Sequence, residues 1–413
     1  MPTKITLIPE IKDAIVKLGG EDTYKCYQCG KCMSVCPWAQ VPLIPFPNYR
    51  IPQEVKLGIV ASSEDKEELA KEVEEVFRCC SCEACVQECP HGVHLPLIFR
   101  AIRRILVDYG SYPKELKGTV SRLHSTGNPM GGPREKRADW ASKLPVPKFT
   151  SDMEFLYFSC CMPAYEQRAQ EMARATAKIL LKAGVSFGIL GESEVCCGES
   201  VRKIGAEKVF RELASTNIRT FKDAGVQKVL TTSPHCYSTF KHEYPEFGAE
   251  FEVLHETQLF LELIKNKKIV PKKSLNARVV YHDPCNLGRQ DDIYEEPREV
   301  LKSIPGLELL EIPNFSRQYS ICCGGGGGGV FIGWDMQERT VNVRIQQAFN
   351  VLNYEASLSQ VTSDQLTNND SAIHEFILAI ACPYCLQMFE DSAKVLNLPL
   401  QVKSISELLA ESL

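Results

Sequence analysis

The chain has 413 residues, 44% hydrophobic and 24% charged, with a net charge of −5 and 19 cysteines. This composition fits a globular protein of two to three domains and argues against a nucleic-acid binder, which would carry a strongly basic domain. No window approaches the ~20 apolar residues of a membrane span and Met1 to Glu10 lack an export-signal pattern, so the expected location is cytoplasmic, with any membrane association through a partner protein.

In a reducing compartment so many clustered thiols point to zinc or iron–sulfur ligation, with catalytic thiols as a minor third class. The first cluster reads Cys26-x-x-Cys29-x-x-Cys32-x-x-x-Cys36-Pro37 and recurs as Cys79-x-x-Cys82-x-x-Cys85-x-x-x-Cys89-Pro90. This is the bacterial ferredoxin run, in which the fourth cysteine ligates the other cluster. One 4Fe-4S cluster is therefore assigned to Cys26, Cys29, Cys32 and Cys89, and a second to Cys79, Cys82, Cys85 and Cys36. A zinc site needs only four ligands and does not require this run twice. Cys80, between ligands, reads as a buried spare. Leu69, Val73, Val76 and Phe77 recur at helical spacing between the motifs, behind Ser62 or Ser63 as an N-cap, and a second amphipathic run covers Leu97 to Tyr109. Residues 1–110 thus read as a mostly helical ferredoxin domain.

Residues 111–150 carry five prolines and a Gly131-Gly132-Pro133 break, with eight Lys or Arg against three acids. They read as an extended linker, a solvated strap or alternatively a docking surface for an acidic partner.

Beyond it the pattern is duplicated, as a first repeat over 151–275 and a second over 276–413. In each, an apolar strand ends at a cysteine (Phe155 to Ser159 before Cys160-Cys161; Val279 to His282 before Cys285). A Cys-Cys-Gly triplet follows (Cys196-Cys197-Gly198; Cys322-Cys323-Gly324), and a later apolar run ends in a Pro-x-Cys turn (Val229 to Thr232 before Cys236; Ile377 to Ala381 before Cys382 and Cys385). Helical stretches such as Gln167 to Ala183 and Val201 to Ala224 alternate with these strands, so the half is α/β, with cysteines where strands end. The second repeat presents five thiols, Cys285, Cys322, Cys323, Cys382 and Cys385. The first presents Cys161, Cys196, Cys197 and Cys236, because Ser233 stands where the second has Cys382. Its site is an altered one: a four-thiolate cluster, a zinc, or a degenerate cluster with Ser233 or Cys160 compensating.

The run Gly324 to Gly329 lacks the Lys-Ser or Lys-Thr of a P-loop, and reads as backbone that approaches a cluster closely and donates amide hydrogen bonds. His91, His235 and His282 lie near cysteines, where a backbone hydrogen bond is the commoner role and proton transfer or support of a ligand the rarer. Asp283 reads as a turn cap.

The pattern Cys-x(31–39)-Cys-Cys-x(35–36)-Cys-x-x-Cys resembles the Cys-Cys-Gly domain of the B-type component of heterodisulfide reductase, and residues 1–110 resemble its C-type ferredoxin component. The fusion of both resembles the D-type heterodisulfide reductase chain found in methanogens and other anaerobes. The resemblance implies that Cys285, Cys322, Cys323, Cys382 and Cys385 hold a noncubane 4Fe-4S cluster that reduces or forms a disulfide. It also implies a partner, either a flavoprotein like the A-type component of heterodisulfide reductase or a membrane cytochrome b. The alternative it leaves is a non-catalytic electron relay in a larger respiratory or electron-bifurcating complex. The second repeat departs in placing 58 residues between Cys323 and Cys382, which reads as a surface insertion around Asn350 to Ser371.

Overall fold

The computed structural model describes residues 5–41, 46, 48–61, 66–363 and 375–413. They form an α/β protein with a helical N-terminal part. There, β1 (Ile5–Leu7) and β2 (Ile59–Ala61) pair antiparallel, and short helices, Lys31–Ser34 and Ala84–Gln87, sit inside the two cysteine motifs. The insert between the motifs carries a helix, Lys66–Arg78, whose Val73, Val76 and Phe77 pack in the same core as Ile98 and Phe99 of the helix Leu95–Asp108. The expected cap at Ser62 or Ser63 lies outside the described residues.

The stretch 111–150 is not an extended connector. It holds a helix, Lys114–Thr126, and a 3-10 run, Arg134–Ala141. Leu116, Thr119 and Leu123 are buried at helical spacing on a helix whose only other large apolar residue is Val120, so tertiary packing selects a helix that composition hides. Nor is the stretch a solvated strap throughout, since Arg137 and Trp140 are buried.

Each Cys-Cys-Gly repeat is a four-stranded parallel sheet. In the first, β3 (Phe155–Phe158), β4 (Phe187–Gly188), β5 (Lys228–Thr231) and β6 (Glu252–His255) lie in the order β4-β3-β5-β6. In the second, β7 (Ala277–Tyr281), β8 (Leu307–Leu310), β9 (Glu375–Ile380) and β10 (Gln401–Ser404) lie in the order β10-β9-β7-β8. In both, the first and third strands in chain order are central neighbours, and the second and fourth lie at the edges. The connections that follow the two central strands diverge, which opens a crevice at their carboxyl ends. The lone cysteines follow the first strands and the Pro-x-Cys turns follow the third, so this topology alone brings each set to one place.

The strands alternate between cores. Phe155 and Tyr157 of β3, Val279 of β7, and Ile377 and Ala379 of β9 share one core between the two sheets. Leu156 and Phe158 face a second core inside the first repeat, and Val280, Leu378 and Ile380 a third inside the second. Helices Gln167–Ala183 and Ile405–Ser412 close the central layer. The helical run expected over Val201 to Ala224 is two helices, Glu199–Ile204 and Glu207–Ala224, broken at Gly205 (φ 99°), where any Cβ would sit 2.6 Å from the Arg103 carbonyl carbon. The break lets the helix Leu95–Asp108 approach the first repeat. In the second repeat the helix Thr340–Ser363 runs through the first part of the expected surface insertion, and the turn-forming run Thr367 to Asp370 lies outside the described residues.

Candidate functional site

In the N-terminal part, Cys26, Cys29, Cys32 and Cys89 line one cavity, and Cys36, Cys79 and Cys82 line a second; Cys85 borders both. The two loops are wound alike. Gln28 and Gly30 in the first (φ 58° and 78°), and Ser81 and Glu83 in the second (φ 53° and 62°), take left-handed conformations at matching positions. Such winding turns backbone amides toward sulfur: the Gln28 and Val93 amides donate to Cys26 Sγ and Cys89 Sγ, each at 3.4 Å. Burial pushes the Cys32 thiol up to about 11, with the neighbouring Cys26 adding to it. Crowded thiols of this kind suit iron, since ligation removes the proton that burial would otherwise retain. The first cavity is at the surface, where Cys29 is exposed and Tyr27, 76% exposed, packs against His91 with tilted rings and centroids 4.5 Å apart.

The second repeat gathers its five cysteines into one buried chain. Cys285 and Cys322 are in contact (Sγ–Sγ 3.8 Å), as are Cys323 and Cys385 (3.4 Å). Cys322 also touches Cys323, and Cys385 touches Cys382. Gly324, at φ 82°, turns its amide onto Cys322 Sγ at 3.4 Å. Hydrogen bonds from Cys322 and Cys385 hold Cys323 down at about 5 against the opposing effect of burial. His282 lies with Cys323 and Cys385 in one group of potential ligand atoms within 4.8 Å, and its Nδ1 accepts from Arg344 Nε at 3.3 Å. Asp283 pairs with the buried Arg298 at 2.6 Å and accepts from the Arg317 amide at 2.8 Å, so it braces the loop before Cys285.

The first repeat builds a parallel chain. Cys161 contacts Cys196, Cys196 contacts Cys197, and Cys197 contacts Cys236. The Gly198 amide, at φ 87°, donates to Cys196 Sγ at 3.4 Å. Cys197 is held at about 6 by hydrogen bonds from Cys196 and Cys236, in parallel with Cys323. Ser233 is fully buried, and among the described residues its Oγ has no hydrogen-bond partner.

His235, from the first repeat, reaches into the second site. Its Nδ1 lies 3.0 Å from Glu199 Oε1 and 3.3 Å from Asn286 Nδ2, and its ring hydrogen-bonds Cys382. Burial would lower its pKa, but Glu199 and Cys382 raise it well above the usual range. Glu199, against the opposing effect of burial, is held at about 2 by His235 and by Lys203, whose Nζ is 3.2 Å away and which borders a surface cleft with Ser81 and Glu243.

Three residues escaped the sequence reading. Arg137 pairs with Glu194 at 3.1 Å and donates to Cys161 Sγ at 3.4 Å. Arg103 is fully buried and donates to the carbonyls of Val76, Cys79, Lys203 and Gly327 at 2.6–3.2 Å. Arg289 donates to the Cys82 carbonyl at 2.6 Å and the Ser320 carbonyl at 2.6 Å. Nothing local marks them, because each is an arginine whose partners are remote in sequence. The glycine run also does more than expected: a Cβ on Gly326 or Gly327 would collide with the Cys80 or Cys79 carbonyl, so the run seats the ferredoxin loop. At that seam Cys80, Cys82 and Cys322 bring their sulfurs within 4.8 Å of one another. Cys80, read as a spare, lies between the two halves of the molecule.

Among the described residues no helix is long and apolar enough to cross a membrane. Residues 22–93 match the 4Fe-4S dicluster domain, and residues 155–241 and 279–390 each match the cysteine-rich domain. The chain is 32% identical, over 95% of its length, to a probable iron-sulfur-binding oxidoreductase FadF of Bacillus subtilis, and 30% identical, over 90%, to the EtfAB:quinone oxidoreductase of Syntrophomonas wolfei. It spans 60% and 55% of those proteins. Against the D-type chain of the dihydromethanophenazine:CoB–CoM heterodisulfide reductase of Methanosarcina barkeri it is 31% identical over 94% of the chain and 93% of the relative. With the two ferredoxin loops, the duplicated sheets and a match over 94% of the chain all in agreement, the chain belongs to the D-type heterodisulfide reductase family of iron–sulfur oxidoreductases.

Proposed function

We propose that electrons enter at the exposed Cys29 end of the ferredoxin part, pass to the Cys79–Cys82 loop, and reach the second Cys-Cys-Gly site, where a disulfide is reduced or formed. The observation that carries this reading is the seam: Cys82 and Cys322, members of the two thiol sets, lie within 4.8 Å. In this assignment Cys26, Cys29, Cys32 and Cys89 hold one 4Fe-4S cluster and Cys79, Cys82, Cys85 and Cys36 another. Cys285, Cys322, Cys323, Cys382 and Cys385 hold a third. A four-iron cluster held by these five thiolates would supply one-electron redox chemistry.

The reaction, disulfide plus two electrons plus two protons giving two thiols, also needs protons. Lys203, Glu199 and His235 form a polar line from the surface cleft to Cys382. His235 anchors Cys382 and Arg344 orients His282 beside Cys323, which fixes the thiolate end of the site. The electron donor would be a flavoprotein like the A-type component of heterodisulfide reductase, or a membrane cytochrome b. The quinone-linked relative favours the flavoprotein, since its name pairs an electron-transfer flavoprotein with a quinone.

One observation supports the relay reading as well. All five thiols of the second site are 8% exposed or less, so a substrate must displace covering structure to reach them. The two readings part in one experiment. Oxidised protein, kept anaerobic, is treated with small thiols and followed by electron paramagnetic resonance. Disulfide chemistry predicts a new thiol-dependent signal that Cys385→Ser abolishes while the ferredoxin signals remain. No response to any thiol, together with intact electron flow from a reduced dye to an acceptor, leaves the relay.

A further inference from the structure

The first repeat departs from the second at two positions, and the departures are reciprocal. Three residues before its last cysteine it has Ser233 where the second repeat has Cys382. Directly before its lone cysteine it has Cys160 where the second repeat has Pro284. One thiol is missing from one place and one is gained at another.

Backbone geometry shows that the gained thiol is not there by default. Cys160 has φ 75° and ψ 162°, a region essentially reserved for glycine. A cysteine there carries strain that a glycine would not, so the side chain itself must be what holds the position. That side chain is buried at 6% exposure and hydrogen-bonds Cys236.

The thiol contacts then match end to end. In the second repeat the order is Cys285–Cys322–Cys323–Cys385–Cys382. In the first it is Cys161–Cys196–Cys197–Cys236–Cys160. Cys160 meets Cys236 as Cys382 meets Cys385. A tetrahedral zinc would use four of these thiolates and leave the strained one idle. Five soft ligands in the same order as the neighbouring site suit iron and sulfide.

We propose that Cys160 is the fifth thiolate of the first repeat, and that Cys160, Cys161, Cys196, Cys197 and Cys236 together hold a fourth iron–sulfur cluster. Ser233 is a vacated ligand position whose role has passed to Cys160 by a different route through the chain. This goes beyond the proposed function and does not rest on disulfide chemistry at the second site.

The test is made on the full chain, reconstituted anaerobically with iron and sulfide, and reads iron, sulfide and zinc per chain together with the Mössbauer spectrum. The unaltered protein is expected to hold about sixteen irons, four per cluster, without zinc. Cys160→Gly, which suits the φ at that position, is expected to hold about twelve and to lose one set of Mössbauer components. Adding Ser233→Cys to that variant is expected to restore about sixteen. Unchanged iron and spectrum in Cys160→Gly, or about one zinc per chain in the unaltered protein and the variant alike, overturns the proposal. Disulfide turnover is not part of the readout, so failure here is distinct from failure of the proposed function.

Discussion

The two Cys-Cys-Gly repeats share strand order, triplet geometry and a depressed second triplet thiol, yet they differ in what surrounds them. The second site abuts the ferredoxin loop through Cys322, Cys80 and Cys82. The first is capped by Arg137 from the preceding segment and lends His235 to its neighbour. Duplication produced two equal frameworks. What separates them is position: one sits against the ferredoxin loop, and the other supports it from behind.

The largest expected effect sharpens this contrast. Cys323→Ser should bring dye-linked disulfide reduction to background, a loss of at least about a thousandfold. The matching Cys197→Ser should stay within about a hundredfold of the unaltered protein, the range of losses from groups around a metal site. Equal losses would break the division of roles.

Next comes the arginine that ties the ferredoxin part to both repeats. Arg103→Met leaves the Val76, Cys79, Lys203 and Gly327 carbonyls without their donor. At about 1–3 kcal/mol for a buried orphaned group, with partial relaxation, the seam should weaken by roughly 3 kcal/mol or more. Hydrogen exchange should show faster amides at 76–82, 203–206 and 324–329, with the rest of the first repeat unchanged.

The core joining the repeats supplies a pH test. Burial pushes Glu256 up to about 8, against hydrogen bonds from Thr176, Thr232 and Ser406. Its folded pKa lies above the ordinary value of 4.5. The stability it contributes is therefore fully present below pH 4.5 and is lost as pH rises through about 8. Thermal unfolding of Glu256→Gln should lack that decline and exceed the unaltered protein at pH 9 by up to about 5 kcal/mol, the equivalent of a shift from 4.5 to about 8.

The smallest effect tests whether one repeat tunes the other. His235→Ala removes a hydrogen bond to Cys382, and the reduction potential of the second site should fall by roughly 60–130 mV, the one-electron equivalent of about 1.5–3 kcal/mol. The ferredoxin clusters should keep theirs. No shift would separate the two repeats functionally.

Much of this was legible in the cysteines. Ligand spacings encode local winding, so the two ferredoxin loops and both Cys-Cys-Gly chains could be read directly, as could the strands that end at them. The helix Lys114–Thr126 was hidden because its apolar stripe, Leu116, Thr119 and Leu123, is thin and lies between prolines and basic residues. Cys160 stood only beside Ser233 as a residue that could compensate, because a backbone angle, not a residue pattern, marks it as special. The arginines that join the halves were invisible for another reason: Arg103 and Arg289 bond to backbone carbonyls, which every residue has, so no complementary partner appears in the sequence.

The glycine run and Arg103 have a kinetic consequence. Some electron carriers deliver charge by swinging a tethered domain between donor and acceptor, and their turnover slows in viscous solvent. Here the ferredoxin loop is seated against backbone at Gly326 and Gly327 and bolted by a buried guanidinium. A swing would have to expose that charge and tear several hydrogen bonds at once. Transfer across this seam should therefore be indifferent to glycerol or sucrose, and any viscosity dependence in the assembled system would belong to the docking of the outside donor.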